Sequence, residues 1–375
     1  MTEARHVELM SVGPDEVVVT FVTDPGVEVR TSVGEHHVVT TGPHHVARID
    51  GLEPGVEYGV TVDGAVVGPS DEPYLPPTVS TLEAPAGALL ATVATVNDVH
   101  FGEVECGKLE MNGHEIPGEV FTSAPGEDPY PEVMNRGAID EIEALDPDAV
   151  VVKGDLTCFG TEAEYEAFLA AYSPLGERMH HVRGNHDAAV TDTIATTGPL
   201  AVETPGAILA VLDTVVFQRE NGQITTEQLS WLDDLAADAD RPVLVFGHHH
   251  AWSPDSHTRS EHYFGINPDD SEALIDLVGR REAIAGYFAG HTHRNRVRRF
   301  AAARNVPFVE VACVKDYPGA WAEYRIHEGG YTQVVRRITE PKALAWTETT
   351  RQMFQGLYRD YALGPLDWRC FTHAF

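Results

Sequence analysis

Five short clusters of Asp, Asn and His constrain this chain more than any other feature of the sequence. In chain order they are Asn97-Asp98-Val99-His100, Gly154-Asp155, Gly184-Asn185-His186-Asp187, Gly247-His248-His249-His250 and Gly290-His291-Thr292-His293. Most of them stand directly after an apolar run, such as Ala149–Val152 or Val243–Phe246, that predicts a buried strand. Because strand ends in an open α/β sheet converge on one crevice, we expect the clusters to meet at a single site.

From Leu89 onwards, apolar strand-like runs alternate with helix-like stretches, which predicts a layered α/β domain. The runs are Leu89–Val96, Ala149–Val152, Ile208–Leu212, Val243–Phe246 and Phe308–Val311, and the helical stretches are Asn135–Leu145, Thr161–Tyr172, Thr226–Ala237 and Ser271–Val278.

The first 85 residues follow a different pattern, in which short runs alternate apolar and polar residues between turn signals such as Asp24-Pro25-Gly26. This pattern predicts a small all-β sandwich, and the segment Leu52–Tyr58 resembles the late hairpin of a fibronectin type III domain. Ala84–Gly87 is typical of a linker. We therefore predict a sandwich over 1–85, an α/β domain over 89–330 and a C-terminal extension over 331–375.

In the extension, Thr347–Tyr361 carries Met353, Phe354, Leu357, Tyr358 and Tyr361 on one stripe of a predicted amphipathic helix. We expect this stripe to pack on its own domain; a homo-oligomer formed through the extension is the alternative.

Composition and charge exclude several classes of protein. With 43% hydrophobic and 22% charged residues among 375, the chain can bury enough surface to fold. The net charge of −32 disfavours nucleic-acid coating and docking on an anionic membrane. No signal-peptide or membrane-spanning run is present in the sequence, and the four cysteines are widely spaced, so we predict a cytoplasmic protein with reduced thiols.

The spacing within the clusters suits metal binding. Residues at i and i+2 on a segment leaving a strand point roughly the same way, so Asp98 with His100, or His291 with His293, can reach a common metal centre. Carboxylate, amide and imidazole ligands together favour Mn, Fe, Zn or Co over Ca.

Taken together, the five clusters resemble the signature of the calcineurin-like metallophosphoesterase superfamily, D-x-H, G-D, G-N-H-D, H and G-H-x-H. The resemblance covers residues 90–315, and Pro147–Thr157 and Gln228–Leu232 are similar to the branch that contains class III cyclic-nucleotide phosphodiesterases. It implies a layered αββα domain with two divalent or mixed-valence metal ions. The implied ligands are Asp98, His100 and His293 for one ion, Asn185, His248 and His291 for the other, and Asp155 for both; His249 is the alternative to His248.

The resemblance also implies an activity, a phosphoesterase that hydrolyses small phosphodiesters by attack of a metal-bridging hydroxide. In this scheme Asn185 stabilises the phosphoryl oxygens, His186 protonates the leaving alkoxide, and Asp187 orients His186 or caps the segment that follows. Two divalent ions, two carboxylates and one hydroxide leave a local charge of about +1, so the site can bind an anion within an acidic protein. The alternatives are a phosphomonoesterase of broad specificity and a binding or scaffold module with a structural metal site.

Some features differ from those of relatives. Leu156-Thr157 follows Gly154-Asp155 where protein Ser/Thr phosphatases have Asp-Arg-Gly, and Cys158 stands where purple acid phosphatases have a metal-binding Tyr. Residues 103–131 look like an insertion, either a cap over the pocket or a surface loop. Trp252, His257, His262 and Tyr263 are candidates for stacking on a nucleobase, or else they pack.

Overall fold

A computed structural model describes residues 2–111, 114–116, 118–196, 198–260 and 262–375. Its strands are β1 (Thr2–Val12), β2 (Glu16–Val22), β3 (Glu28–Val33), β4 (His36–Thr41), β5 (His44–Asp50), β6 (Glu57–Asp63), β7 (Ala65–Val67), β8 (Thr78–Ser80), β9 (Leu89–Val96), β10 (Leu109–Met111), β11 (His114–Ile116), β12 (Ala149–Lys153), β13 (Met179–Val182), β14 (Leu200–Glu203), β15 (Ile208–Val211), β16 (Val243–Phe246), β17 (Ile284–Ala289), β18 (Arg296–Arg299), β19 (Pro307–Glu310), β20 (Ala320–His327), β21 (Gly330–Arg337) and β22 (Cys370–Ala374).

The helices are α1 (Tyr130–Leu145), α2 (Glu162–Tyr172), α3 (Thr226–Asp238), α4 (Pro268–Arg280), α5 (Pro341–Thr350), α6 (Tyr358–Leu363) and α7 (Leu366–Arg369). Short 3-10 turns cover Glu72–Tyr74, Ser173–Arg178, His186–Ala188, Ala301–Ala303 and Met353–Gly356. Within the described ranges, every helix is too short or too polar to cross a lipid bilayer.

The N-terminal residues form strands β1–β8 in two four-stranded sheets, ordered β5-β2-β1-β7 and β4-β3-β6-β8. Leu9, Val19 and Val33 belong to the buried cluster that these strands enclose. At one corner the Tyr58 hydroxyl accepts a hydrogen bond from the backbone N–H of Glu53, at 2.9 Å. The all-β character predicted for this region is confirmed, and its likeness to fibronectin type III stays a prediction.

The remaining chain forms two six-stranded sheets, ordered β13-β12-β9-β20-β21-β22 and β14-β15-β16-β17-β19-β18. Alternate residues of β12 reach different layers: Val151 lies in the cluster between the sheets, whereas Val150 and Val152 pack with α1 and α2. On the other sheet, α3 and α4 cover the outer face through Leu232 and Leu274. The predicted αββα layering is confirmed, because apolar strand faces on both sides of each sheet require a covering layer.

The predicted helix over Thr347–Tyr361 is interrupted. Helix α5 ends at Thr350 and α6 begins at Tyr358, and between them Phe354 and Gln355 have left-handed backbone at φ 53° and 60°. The turn redirects the chain so that Met353 and Tyr358 enter the cluster between the sheets, while Leu357 is exposed. Residues 331–375 also supply β22 and most of β21 to the first sheet.

The sandwich packs on the first sheet through buried ion pairs. Glu8 and Glu16, both on the sandwich side, are fully buried. Arg336 donates to Glu16 at 2.7 Å and to Glu323 at 2.9 Å, and Arg351 donates to Glu8 at 3.1 Å.

Candidate metal centre

The carboxyl ends of five strands bring the predicted ligands together. Strand β12 pairs in parallel with β9 and β13, and β16 pairs in parallel with β17, so within each sheet these strands end at the same edge. The loops leaving them carry Asp98, His100, Asp155, Asn185, His248, His291 and His293, which we name the candidate metal centre.

One half of the centre is formed by Asp98, His100 and His293, whose ligand atoms lie within 4.8 Å of one another. His293 Nε2 is 3.4 Å from Asp98 Oδ1, and His100 Nε2 is 3.5 Å from Asp155 Oδ2. A carboxylate and two imidazoles at this separation can share one cation.

The other half is built around His248. Its Nε2 is 3.1 Å from Asn185 Oδ1 and 3.3 Å from Asp155 Oδ2. Its Nδ1 is 2.8 Å from the backbone carbonyl of Lys153, which can only accept a hydrogen bond, so Nδ1 carries the hydrogen. In the neutral ring Nε2 then presents its lone pair to the Asp155 and Asn185 side chains, which is the arrangement expected of a ligand.

His249, the alternative ligand, lies beside His248 and His291. Its Nδ1 is 2.8 Å from Thr214 Oγ1, and its ring centroid is 4.5 Å from that of His291. The ligand atoms of His248, His249 and His291 lie within 4.8 Å of one another. The contacts with Asp155 and Asn185 favour His248 over His249.

Buried nitrogens without partners test whether a cation fits. Among the described residues, both ring nitrogens of His100 and the Nε2 atoms of His249 and His291 are buried and have no hydrogen-bond partner. Buried polar atoms in native proteins are nearly always paired, so each such atom requires an explanation. For imidazole nitrogens that converge with carboxylates, a bound metal ion is that explanation.

The backbone at the centre is unusual. Asp98, His100, Asp155, His291 and His293 all have positive φ, between 48° and 68°. This left-handed region is unfavourable for residues other than glycine, and such residues gather at functional sites. The strand ends therefore turn sharply and direct these side chains into one space.

Buried carboxylates and histidines at the centre shift one another's pKa values. Burial by itself would raise the pKa of Asp155, but His248, His186 and His100 outweigh it and hold that pKa well below its usual range. Burial lowers the pKa of His248, yet Asp155 and Asp98 raise it to about 9. The same carboxylates can pair with a metal cation once the histidines lose their protons.

His186 lies beside the candidate ligand His100. Its ring is half-buried, 4.6 Å from the ring of His100, and its Nδ1 is 2.7 Å from the backbone carbonyl of Cys158. The backbone N–H of His186 donates to Asp155 Oδ1 at 3.0 Å. The side chain is thus fixed through Nδ1, and Nε2 is the nitrogen that remains for a proton transfer.

Asp187 braces two loops. It is buried and accepts hydrogen bonds from the backbone of Leu156, Thr157 and Gly184 at 3.1, 2.8 and 2.7 Å, and from the Thr157 hydroxyl at 2.6 Å. These bonds join the loop after β12 to the loop after β13, and none of them runs to the ring of His186. Burial and the Asp155 carboxylate raise the pKa of Asp187 to about 6.

The structure adds residues that the sequence analysis missed. Asp316 Oδ2 lies 3.6 Å from Nδ1 of His293, and Asp316 Oδ1 accepts from the Tyr358 hydroxyl at 2.7 Å. Asp316 stands five residues after the predicted strand Phe308–Val311, further from a strand end than the five clusters, so the strand-end signal does not identify it. Phe264, 49% exposed, stacks on His291 with ring centroids 4.0 Å apart, and no sequence signal marks it.

The four candidate pocket residues lie in different environments. Trp252 is buried and donates to the Thr258 carbonyl at 3.1 Å, so it packs. His257 and His262 are exposed. Tyr263 is half-buried, with its hydroxyl 2.8 Å from Nε2 of His250. The segment 103–131 contains β10 and β11, and part of it lies outside the described residues.

Comparison with known families agrees with this geometry. The model of the calcineurin-like phosphoesterase family matches residues 91–295, which is more than half of the 375 residues. The chain belongs to the calcineurin-like phosphoesterase family.

Individual relatives cover parts of the chain. A protein of Arcobacter nitrofigilis named as a probable glycerophosphodiester phosphodiesterase is 30% identical over 161 residues, 40% of this chain and 57% of that protein. The chain thus spans less than two thirds of that relative. A 3′,5′-cyclic adenosine monophosphate phosphodiesterase of Vibrio vulnificus is 27% identical over 215 residues, 50% of this chain and 74% of that protein. A dimetal phosphatase from Danio rerio shares the fold, with a TM-score of 0.50 and 16% identity over 68% of this chain and 98% of that one.

Proposed function

We propose that this chain is a metal-dependent phosphodiesterase acting on small diesters, with Asp98, His100, Asp155, Asn185, His248, His291 and His293 as the ligands of two metal ions. The observation that carries the proposal is the convergence of these ligand types from five strand ends around Asp155, with buried imidazole nitrogens left unpaired. Family membership and the names of two diesterase relatives support it.

Two ions in such a centre, when bound, supply a water of lowered pKa as nucleophile and offset the charge of the phosphate. Ligands of this mixed character suit Mn, Fe, Zn or Co. The protein's own part is positional: Asp155 fixes the spacing of the two halves, and Asn185 directs its amide towards the same space.

His186 provides the proton for the leaving group. A ring whose Nδ1 is fixed by the Cys158 carbonyl donates from Nε2 only when doubly protonated, and it returns to a neutral tautomer afterwards. Its contact with the ring of His100, one of the proposed ligands, supports this role.

The test uses the full chain, stripped of metal by a chelator and reloaded with Mn²⁺. Substrates are 3′,5′-cyclic AMP, 2′,3′-cyclic AMP, glycerophosphocholine, bis(p-nitrophenyl) phosphate and p-nitrophenyl phosphate. We expect hydrolysis that depends on metal and favours diesters. Faster cleavage of the monoester would replace the proposal with a phosphomonoesterase, and binding of metal without hydrolysis would favour a binding module.

A further inference from the structure

Three arginines gather beside the candidate metal centre in an otherwise strongly acidic chain. Arg294 directly follows His293, and Arg296 and Arg298 lie two and four residues beyond Arg294, on β18. Their common partner is Glu310 at the end of β19, which is buried and sits opposite Arg296 in the strand register. We call these three arginines with Glu310 the arginine cluster.

Position links the cluster to the centre. Glu310 ends β19 at the same edge of the sheet at which β17 delivers His291 and His293. Thr292, between these two ligands, donates its hydroxyl to Glu310 at 2.9 Å. The Arg294 guanidinium lies 5.2 Å from the ring centroid of Tyr361, whose hydroxyl donates to the Thr292 carbonyl at 2.8 Å.

The pairing within the cluster is incomplete. Arg294 donates twice to Glu310 at 3.1 Å, but Arg296 reaches it only at 4.0 Å. Arg298, whose side chain is 9% exposed, donates from Nη2 to the Ala251 carbonyl at 2.6 Å and approaches Glu310 Oε1 at 3.4 Å. Its Nε and Nη1, like Glu310 Oε1, are buried without a hydrogen-bond partner among the described residues. Buried guanidinium donors left unpaired indicate a ligand or ordered water at this position.

The net charge of the arginine cluster indicates which kind of ligand it binds. Three guanidinium groups against one carboxylate leave +2 in the cluster, whereas the whole chain carries −32. A phosphomonoester carries about −1.5 to −2 at pH 7 and offers three acceptor oxygens. Arginine forks are well suited to such a group.

Resting on the proposed diesterase function, we propose that Arg294, Arg296 and Arg298 form a subsite for a terminal phosphate on the diester substrate. The diester then reaches from the candidate metal centre, past the exposed ring of Phe264 on His291, to the arginine cluster. The preferred substrates carry a phosphomonoester in addition to the bond that is cleaved.

The test compares two substrates that differ by one phosphate, thymidine 5′-(p-nitrophenyl phosphate) with and without a 3′-phosphate. Both release nitrophenolate, so leaving-group chemistry is the same. For the full chain loaded with Mn²⁺ we expect the 3′-phosphate to lower KM by about tenfold, the effect of one charge-assisted contact.

Arg296→Gln is the informative variant, because Arg296 is the member most exposed and least paired, and Glu310 keeps Arg294 and Arg298. In this variant the ratio of the KM without the 3′-phosphate to the KM with it should fall to near one. Arg299→Gln is the matched control: Arg299 follows on the same strand, is exposed, donates to the Asn305 carbonyl at 2.9 Å and should keep the preference.

Binding separates this proposal from the proposed function. Calorimetry on the metal-loaded full chain should show tighter binding of thymidine 3′,5′-bisphosphate than of thymidine 5′-monophosphate, and Arg296→Gln should remove the difference. That result without any hydrolysis would overturn the diesterase assignment and support the subsite. Hydrolysis of both substrates with no preference, or equal losses on both in Arg296→Gln, would overturn the subsite and leave the diesterase standing.

Discussion

Asp155 stands between the two halves of the candidate metal centre, within 3.5 Å of His100 and 3.3 Å of His248. Replacing it with Asn removes the negative charge that holds both halves together. We expect Asp155→Asn to lower turnover by more than about 100-fold and to reduce the bound metal below two ions per chain, measured by elemental analysis.

Asp146→Asn is the matched control for this variant, because Asp146 is exposed and pairs with Arg178 at 2.6 Å at the end of α1. It should keep both metal content and activity. Two bound ions and undiminished turnover in Asp155→Asn would contradict the ligand assignment.

His186→Ala tests proton donation at the same scale. The variant should keep both metals, lose at most about tenfold on bis(p-nitrophenyl) phosphate and lose about 10²–10⁴-fold on an alkyl diester. Nitrophenolate departs without a proton, whereas an alkoxide needs one. Rates are compared where chemistry limits turnover. Equal losses on both substrates would instead assign His186 to stabilising the phosphoryl oxygens.

The meeting of the five clusters at one edge could be predicted because each cluster is local: an apolar strand, a turn and side chains within a few residues, as in Gly290–His293. The pairing of Asp316 with His293 could not be predicted in this way. It depends on Tyr358, whose hydroxyl donates to Asp316. Tyr358 lies 42 positions further along the chain, after a turn that helical periodicity does not predict. Phe354 and Gln355 adopt left-handed backbone there.

At the scale of elements, the C-terminal segment supports the G-H-T-H loop. Besides the Tyr358 contact with Asp316, the side-chain amide of Asn295 donates to the backbone carbonyls of Ala362 and Leu363, both at 3.1 Å. Helix α6 is therefore fastened to the segment that carries His291 and His293. The left-handed turn before α6 is what brings the helix to that place.

Tyr358→Phe should weaken metal binding, because Asp316 loses the hydroxyl that orients it towards His293. We expect affinity for one of two ions to fall by about 10–100-fold, measured by titration of the metal-depleted chain. Tyr331→Phe is the control, since Tyr331 is buried and its hydroxyl donates to the Ala285 carbonyl at 3.2 Å, near the start of β17 and away from the centre. An equal effect of both variants would indicate a general loss of stability.

At the scale of the whole molecule, the sandwich and the first sheet are joined by charge. Burial raises the pKa of Glu8, but Arg351, Arg337 and Arg359 outweigh it and lower the pKa from 4.5 to about 2. The sequence predicts a boundary between two units at Ala84–Gly87. Without the sandwich, Arg336 would lose Glu16 and Arg351 would lose Glu8, so a fragment beginning at Leu89 should fold poorly.

Lowering the pH should weaken the ion pairs that Glu8 of the sandwich forms with the rest of the chain. A carboxylate with a lowered pKa stabilises the fold above its unfolded pKa of about 4.5. The contribution is lost as pH falls from there towards 2. We expect Glu8→Gln to lower the free energy of unfolding by about 3 kcal/mol at pH 7 and by much less near pH 3, measured by urea denaturation.

Asp24→Asn serves as the control, because Asp24 and Arg5 form an exposed pair at 3.7 Å. Surface pairs contribute little, so its unfolding curve should match that of the unmodified chain at both pH values. The same loss at pH 7 and pH 3 in Glu8→Gln would argue against a charged Glu8.

The joint between sandwich and sheet also sets an order of events during synthesis. Glu8 is made 343 residues before Arg351, and Glu16 is made 320 residues before Arg336. At 5–20 residues per second, about 20–70 s pass between the synthesis of Glu8 and that of Arg351. Throughout that time the emerging sandwich exposes the acidic face that the finished protein hides, and docking of the two units belongs to the last stage of translation.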